Sequence, residues 1–304
     1  MNRIELTAQE QAGTRIDKAL SEMTDLSRTR AQALCKEGLV RVNGEVVKGS
    51  YTLSAGDLIE ADIPDDQPLD IEPENIPLDI LYEDSDIIVI NKPKGMIVHP
   101  APGISSGTLV NALLYHCHDL SGINGMLRPG IVHRIDKDTT GCLVACKNDF
   151  AHEAIAKQLE TKTCHREYRT VVMGSLEHDE GLIDAPIGRD PSDRQKMTVT
   201  DINSRSARTW FKVLERFRSS TFAECRLETG RTHQIRVHMK YIGHPVMGDL
   251  KYGKPCALMD TQGQVLHACR LTLVHPRTGR EMTFEAPLPE YFEQLLDMLR
   301  KESE

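Results

Sequence analysis

Residues 64 to 86, "PDDQPLDIEPENIPLDILYEDSD", hold nine aspartates and glutamates and no lysine or arginine. A run like this cannot enter a hydrophobic core, because carboxylates buried without partners lose their hydration. Its prolines also forbid a continuous helix. The segment 64–79 is therefore expected to be an exposed acidic linker. It divides the 304 residues into a small module, 1–63, and a large one, 80–304. Each is of ordinary domain size.

Apolar residues make up 39% of the chain, enough for a sizeable core. No apolar run approaches the roughly 18 residues of a membrane span, so no membrane association is expected. The start, "MNRIELTAQEQAG", lacks the apolar stretch of a secretory signal. Eight cysteines are scattered singly with no CxxC. That usage fits reduced thiols and a cytoplasmic protein. The net charge of −8 is unevenly distributed: residues 205–240 carry nine Lys/Arg against three Glu. A solvated face and a polyanion-binding surface fit that pattern equally well.

In the small module, Ile16, Ala19, Leu20 and Met23 fall at helical spacing. Ser27 is suited to cap a second helix that Gly38 ends. "LVRVNGEVV" predicts two strands joined by an Asn43-Gly44 turn. Arg28, Arg30, Lys36 and Arg41 would form one basic edge, suited to a phosphate backbone. The pattern Arg15-x-Asp17-Lys18-x-Leu20, Ser27-Arg28, Gly38-x-Val40-x-Val42-Asn43-Gly44 and Gly56-Asp57 resembles an S4 domain over about residues 13–63. That resemblance implies binding of structured RNA.

The large module reads as α+β. "DIIVINKPKGMIV" predicts two strands around Lys92-Pro93-Lys94-Gly95. "SSGTLVNALLYHC" predicts a helix capped by Ser106, and "HEAIAKQLET" another. "REYRTVVMG" and "CRLETGRTHQIRVHM" predict strands, the latter with Thr232, Gln234, Arg236 and His238 on one face. Strands outnumber helices without a βαβ rhythm, so the expected sheet is mixed and mostly antiparallel.

Several chemistries can be weighed against these patterns. Asp136-x-Asp138-x-Thr140 has the spacing of a magnesium-dependent phosphohydrolase. His133 and Arg134 break the clean strand that motif needs, and "GDLKYG" offers only Asp249 downstream. Gly103-x-Ser105-x-Gly107 has hydrolase-elbow spacing, but "HPAPGISSG" is no strand. Cys142 and Cys146 on one strand would lie about 13 Å apart, too far for one zinc. No metal and no cofactor are expected. What remains is Asp136 among arginines, a carboxylate kept ionised and oriented and able to act as a covalent nucleophile.

The large module resembles the RluA/RluD-type pseudouridine synthases from about Leu81 to Pro289. The resemblance rests on "HRIDKDTTG", "REYRTVVMG", "LETGRTHQIRVHM", "NKPKGMIVHP", "GHPVMGD", "LHACRL" and "HPRTG". Thr140 and Cys142 depart from the serine and leucine more usual there, and His165 has no assigned role. The resemblance implies Asp136 as nucleophile, Tyr168 against the target base, and Arg236 paired with Asp136. It places Arg231 and His233 near the substrate, gives His133 and Arg134 to base extrusion, and makes Lys92 and His99 pocket walls. The implied partner is RNA, specifically 23S ribosomal RNA or a precursor of the large subunit. A monomer is expected.

Overall fold

The computed structural model describes residues 2–24, 26, 28–63, 71–100, 103–117, 119–123, 128–193 and 195–303. The chain forms two compact units, Met1–Pro68 and Leu69–Glu304.

The first unit runs β1 (Asn2–Thr7), α1 (Ile16–Met23), α2 (Arg28–Lys36), β2 (Val40–Val42), β3 (Glu45–Val46) and β4 (Leu58–Ile63). Its strands lie in the order β1-β4-β2-β3. Ile16, Ala19 and Leu20 of α1 pack with Ala31 and Leu34 of α2 onto Val40, Val42 and Ile59. The Asn43-Gly44 turn forms as expected, with φ of 52° and 83°. Two positive φ values match the right-handed twist of the flanking strands. Asp17, with no exposed surface, accepts hydrogen bonds from Arg15 Nε (3.1 Å) and Nη2 (2.9 Å) and Gln32 Nε2 (2.7 Å). Ser27 and the side chain of Arg30 lie outside the described residues.

The second unit runs β5 (Ile80–Glu83), β6 (Ile87–Lys92), α3 (Leu109–His116), β7 (Thr140–Cys146), α4 (Asp149–Thr161), β8 (His165–Met173), β9 (Glu180–Asp184), β10 (Ile187–Arg189), β11 (Met197–Val199), β12 (Arg208–Arg216), β13 (Ser220–Leu227), α5 (Gln234–Tyr241), β14 (Leu266–Val274), β15 (Glu281–Glu285) and α6 (Glu290–Ser303). One nine-stranded sheet has the order β5-β6-β7-β14-β8-β13-β12-β9, with β15 also on β14. Only β7 and β14 run parallel. The sheet is thus mixed and mostly antiparallel, as the strand-rich sequence predicts.

Both faces of the sheet are covered, which explains why β6 and β7 read as continuous apolar runs. Ile88, Ile90, Leu143 and Ala145 turn to the face covered by α3 and α5. Ile87, Val89, Val144 and Cys146 turn to the face covered by Ala151 and Ile155 of α4. α6 buries Phe292, Leu295 and Leu299 against Val171 and Phe222.

Three local expectations are corrected. Residues 96–98 after the Lys94-Gly95 turn form no strand. α3 is capped by Thr108 rather than Ser106, in a reciprocal box with Asn111. Half of the acidic segment lies on the second unit rather than in solvent. Asn111 Nδ2 donates to Glu72 O (2.8 Å), the Gly107 N–H donates to the Glu74 carboxylate (2.9 Å), and Ile71 and Leu78 pack on the core. The carboxylates stay outside while interleaved aliphatic residues dock.

Candidate active site

Asp136 stands in the loop that leads into β7. Ile131 bridges to Ala145, and Ile135 is buried in the main core. The Thr139 N–H donates to Asp136 O (3.0 Å), closing a turn. Thr140 Oγ1 and His267 Nδ1 then lie 2.8 Å apart. Gly141 has φ of 106°, and a Cβ there would sit 2.2 Å from Ala268 O. Only glycine combines that backbone with so close an approach of β7 to β14. From beneath, the fully buried Lys92 donates to Pro93 O and Met96 O (2.8 Å each) and Lys137 O (2.9 Å). Burial pulls its amine down to about 7, against the opposing charges of Asp138 and Asp136.

The facing wall is α5, and here the strand expected over "THQIRVHM" is corrected to a helix. Gly230 and a left-handed His233 (φ 57°) end the extended course after β13. Gln234 then fixes the helix start. Its Oε1 accepts from the Arg231 N–H (2.9 Å) and Thr229 Oγ1 (2.8 Å), and its Nε2 donates to Arg208 O and Thr209 Oγ1 (3.0 Å each). Ile235 and Met239, one turn apart, enter the main core. The helical period separates the residues that a strand would have aligned. His238 turns away from Asp136, to Thr209 Oγ1 and Ala185 O (2.9 Å each). His233 and Arg236, three apart, share the face toward Asp136.

Arg236 Nη1 donates to Asp136 Oδ2 at 2.8 Å. Its other edge is held by a second carboxylate: Nε donates to Asp249 Oδ2 (2.7 Å) and Nη2 to Asp249 Oδ1 (2.9 Å). Asp249 has no exposed surface, while Asp136 keeps 17% of its side chain open to the cleft. Burial opposes the charge on Arg236, but the Asp249 hydrogen bonds and both carboxylate charges hold it more basic than usual. Arg236 is thus a clamped guanidinium with one edge left for Asp136. A fork bound on two edges has little freedom to turn.

Tyr168 on β8, Arg134, Arg231 and His233 line the same cleft as Asp136 and Arg236. Tyr168 is buried, which pushes its phenol up to about 12 against the opposing charge of Arg166. It therefore stays protonated near neutrality. His233 Nε2 lies 3.9 Å from Asp136 Oδ1, and its Nδ1 lies 2.7 Å from Tyr252 Oη. His133 lies instead in the adjoining cleft beside Arg166. Its Nε2 accepts the Val144 N–H (3.2 Å), and burial lowers it to about 3. Asp138 faces away, among Lys94 and Lys137. In the first unit, Arg28 lies 3.5 Å from Asp17, Arg41 3.5 Å from Asp62, and Lys36 is exposed.

Comparison with known proteins places this geometry. The family model for RNA pseudouridylate synthase matches residues 86–241, and that for the S4 domain matches residues 14–59. The chain belongs to the RNA pseudouridine synthase family. An uncharacterized RNA pseudouridine synthase of Bacillus subtilis, YlyB, is 57% identical over 303 residues, 99% of each chain. A ribosomal large subunit pseudouridine synthase D of Zymomonas mobilis is 44% identical over 305 residues, 96% of this chain and 95% of that one. Among solved structures, human RNA pseudouridylate synthase domain containing 4 is similar with a TM-score of 0.57 at 28% identity, covering 73% of this chain and 92% of that one. The matched residues 86–241 include Asp136, Tyr168 and Arg236.

For this pseudouridine synthase, sequence reasoning missed the roles of Asp249, Tyr252 and Arg166. "GHPVMGD" and the following "YG" carried a signal, but nothing in their spacing tied them to Arg236. Arg166 precedes Tyr168 by two on a strand, so it shares that residue's face, and this could have been read.

Proposed function

We propose that this pseudouridine synthase isomerises uridines of large-subunit (23S) ribosomal RNA, with Asp136 as covalent nucleophile and no cofactor. The observation that carries the chemistry is the Asp136 carboxylate, held at 2.8 Å by an arginine that Asp249 clamps from behind. A carboxylate fixed in the cleft by its cation is aimed at an electrophilic carbon of the target nucleotide. The reaction breaks the N1–C1′ bond, turns the base, forms C5–C1′ and releases the C5 proton. Tyr168, a neutral phenol, packs on the base and offers its hydroxyl as a hydrogen-bond donor. Arg134 at the cleft mouth, with His133 behind it, holds the nucleotide's place in the stack once the base is extruded. Arg231 and His233 contact the substrate.

The large-subunit target is supported by relatives such as the Zymomonas mobilis protein named for that RNA. Residues 1–63 serve as an RNA-binding module through Arg28, Arg30, Lys36 and Arg41, residues 64–79 as the connection, and 80–304 as the catalytic part. The protein acts as a monomer in the cytoplasm.

Tritium release from 23S transcript carrying 5-tritiated uridine tests the proposal. Wild type releases tritium and Asp136→Ala does not, while both bind the RNA. Release by Asp136→Ala above about 1% of the wild-type rate would remove the nucleophile assignment, since a lost covalent nucleophile costs several orders of magnitude.

A further inference from the structure

Beside the Asp136 pocket lies a second cleft, lined by Arg128, Arg134, Arg166, Arg205 and Arg231. The two share Arg134, Arg166, Gly230 and Arg231 as a common wall. Five arginines elsewhere on this unit hold carboxylates: Arg208 with Glu228, Arg216 with Asp179, Arg270 with Glu167, Arg277 with Asp86 and Arg300 with Glu215. Among the described residues, none of the five cleft arginines has an acidic partner within 4.0 Å. The one acid in the lining, Glu160, is already paired with Lys157 at 2.7 Å.

Arg166 is the most telling member. Its Nε is buried and has no hydrogen-bond partner among the described residues. A Cβ on Gly230 would fall 2.6 Å from its Nη1, so glycine at 230 makes the room its guanidinium occupies. A buried donor without an acceptor marks a place where a ligand supplies one. Arg205 is set on the far rim by paired backbone hydrogen bonds to Ile187 (3.0 and 2.9 Å). The cleft on the other side of Asp136 differs in kind. There Lys94 and Lys137 face Asp138 and Asp260, and Lys251 Nζ already donates to Gln195 O (3.1 Å).

We propose that Arg128, Arg166 and Arg205, with Arg231 at the threshold, form a phosphate-binding track that carries the RNA backbone on one flank of the target nucleotide. The track rests on the reading of the protein as an RNA isomerase and gives that reading a direction. The strand leaves the Asp136 pocket past Arg166 toward Arg205, not toward Lys137 and Lys251. Guanidiniums suit this task because each presents several donors to phosphate oxygens without needing to read a base.

The test uses the full-length protein and 23S transcript labelled with 5-tritiated uridine. Arg166→Gln, Arg205→Gln and Arg128→Gln are compared with Arg300→Gln, which breaks a remote ion pair. Each cleft variant is expected to raise KM about tenfold, the loss of one charge-assisted hydrogen bond. For Arg205→Gln and Arg128→Gln, which lie outside the Asp136 pocket, kcat at saturating RNA should stay within about twofold of wild type. In filter binding between 50 and 200 mM salt, the slope of log K against log salt should shrink by about 0.7 to 0.9 per arginine removed. Arg300→Gln should change neither. Arg205 is exposed, so Arg205→Glu keeps the test valid if Arg166→Gln fails to fold, and it should weaken binding further than Arg205→Gln. Unchanged KM and salt slope in Arg205→Glu would overturn the track, as would a loss of kcat at constant KM. If wild type itself releases no tritium, the functional reading fails instead, and the binding slopes judge the track on their own.

Discussion

Replacing Asp249 by alanine isolates the part played by the clamp behind Arg236. Asp249 is fully buried and accepts two hydrogen bonds from Arg236, at 2.7 and 2.9 Å, and the N–H groups of Lys251 (2.9 Å) and Tyr252 (3.2 Å). Its removal leaves a guanidinium whose side chain is 8% exposed with Nε and Nη2 unmatched and Asp136 as its remaining carboxylate. Breaking a buried ion pair from one side costs roughly 3 to 5 kcal/mol. In a unit of this size each kcal/mol lowers the melting temperature by about 2 to 4 °C, so the loss should be plain in a urea or thermal melt followed by circular dichroism. Asp249→Asn keeps the volume and one acceptor oxygen but turns the other into a donor facing an N–H group, and should recover only part of that loss. Activity separates the positioning role from mere stability. Asp249 does not line the Asp136 pocket, so KM for RNA should stay within about twofold. Arg236, freed along its Nε–Nη2 edge, should let Asp136 drift, and kcat should fall about a hundredfold, as ångström-scale misplacement does. A folded Asp249→Ala protein with kcat within twofold of wild type would refute the clamp, and so would a loss confined to KM.

Gly141→Ala should cost roughly 3 kcal/mol or more, from a positive φ combined with a Cβ driven into the Ala268 carbonyl. A urea midpoint equal to wild type would contradict the close β7–β14 approach. Burial, helped by the charges of Arg128 and Arg134, lowers His99 from 6.5 to about 4. Between those pH values the unfolded chain takes up a proton that the folded chain refuses, so stability falls as pH falls through that window. His99→Gln should flatten the slope there by about one proton, and an unchanged slope would show that His99 is not buried as described. Deleting residues 1–63 should weaken modification of 23S transcript at limiting enzyme more than it lowers the melting temperature of the remainder. Equal modification by the truncated chain would refute an RNA-delivering role for that module.

Much of the architecture was legible because it is local. The Asn43-Gly44 turn, the α1 spacing and the apolar runs of β6 and β7 each announce their structure within ten residues. The α5 helix was not legible, because Ile235 and Val237 favour a strand. What decides the matter is a left-handed His233 at the N-cap and the Gln234 side chain tied to Arg208 and Thr209 of β12. That Asp136, Tyr168 and Arg236 meet in one cleft could be expected from their motifs. Asp249 could not, since its meaning lies wholly in a contact with Arg236 that only the folded chain makes.

One arginine between two aspartates has a consequence for how a polyanion can enter. Taken at formal charge, Asp136, Arg236 and Asp249 together carry minus one, whereas Arg134, Arg166 and Arg231 on the pocket wall carry plus three. The guanidiniums without an acidic partner among the described residues form and extend the wall shared with the second cleft. On the proposed reading the site would sort a nucleotide by its parts, with the charged linkage held along the arginine wall and the neutral base at the carboxylate.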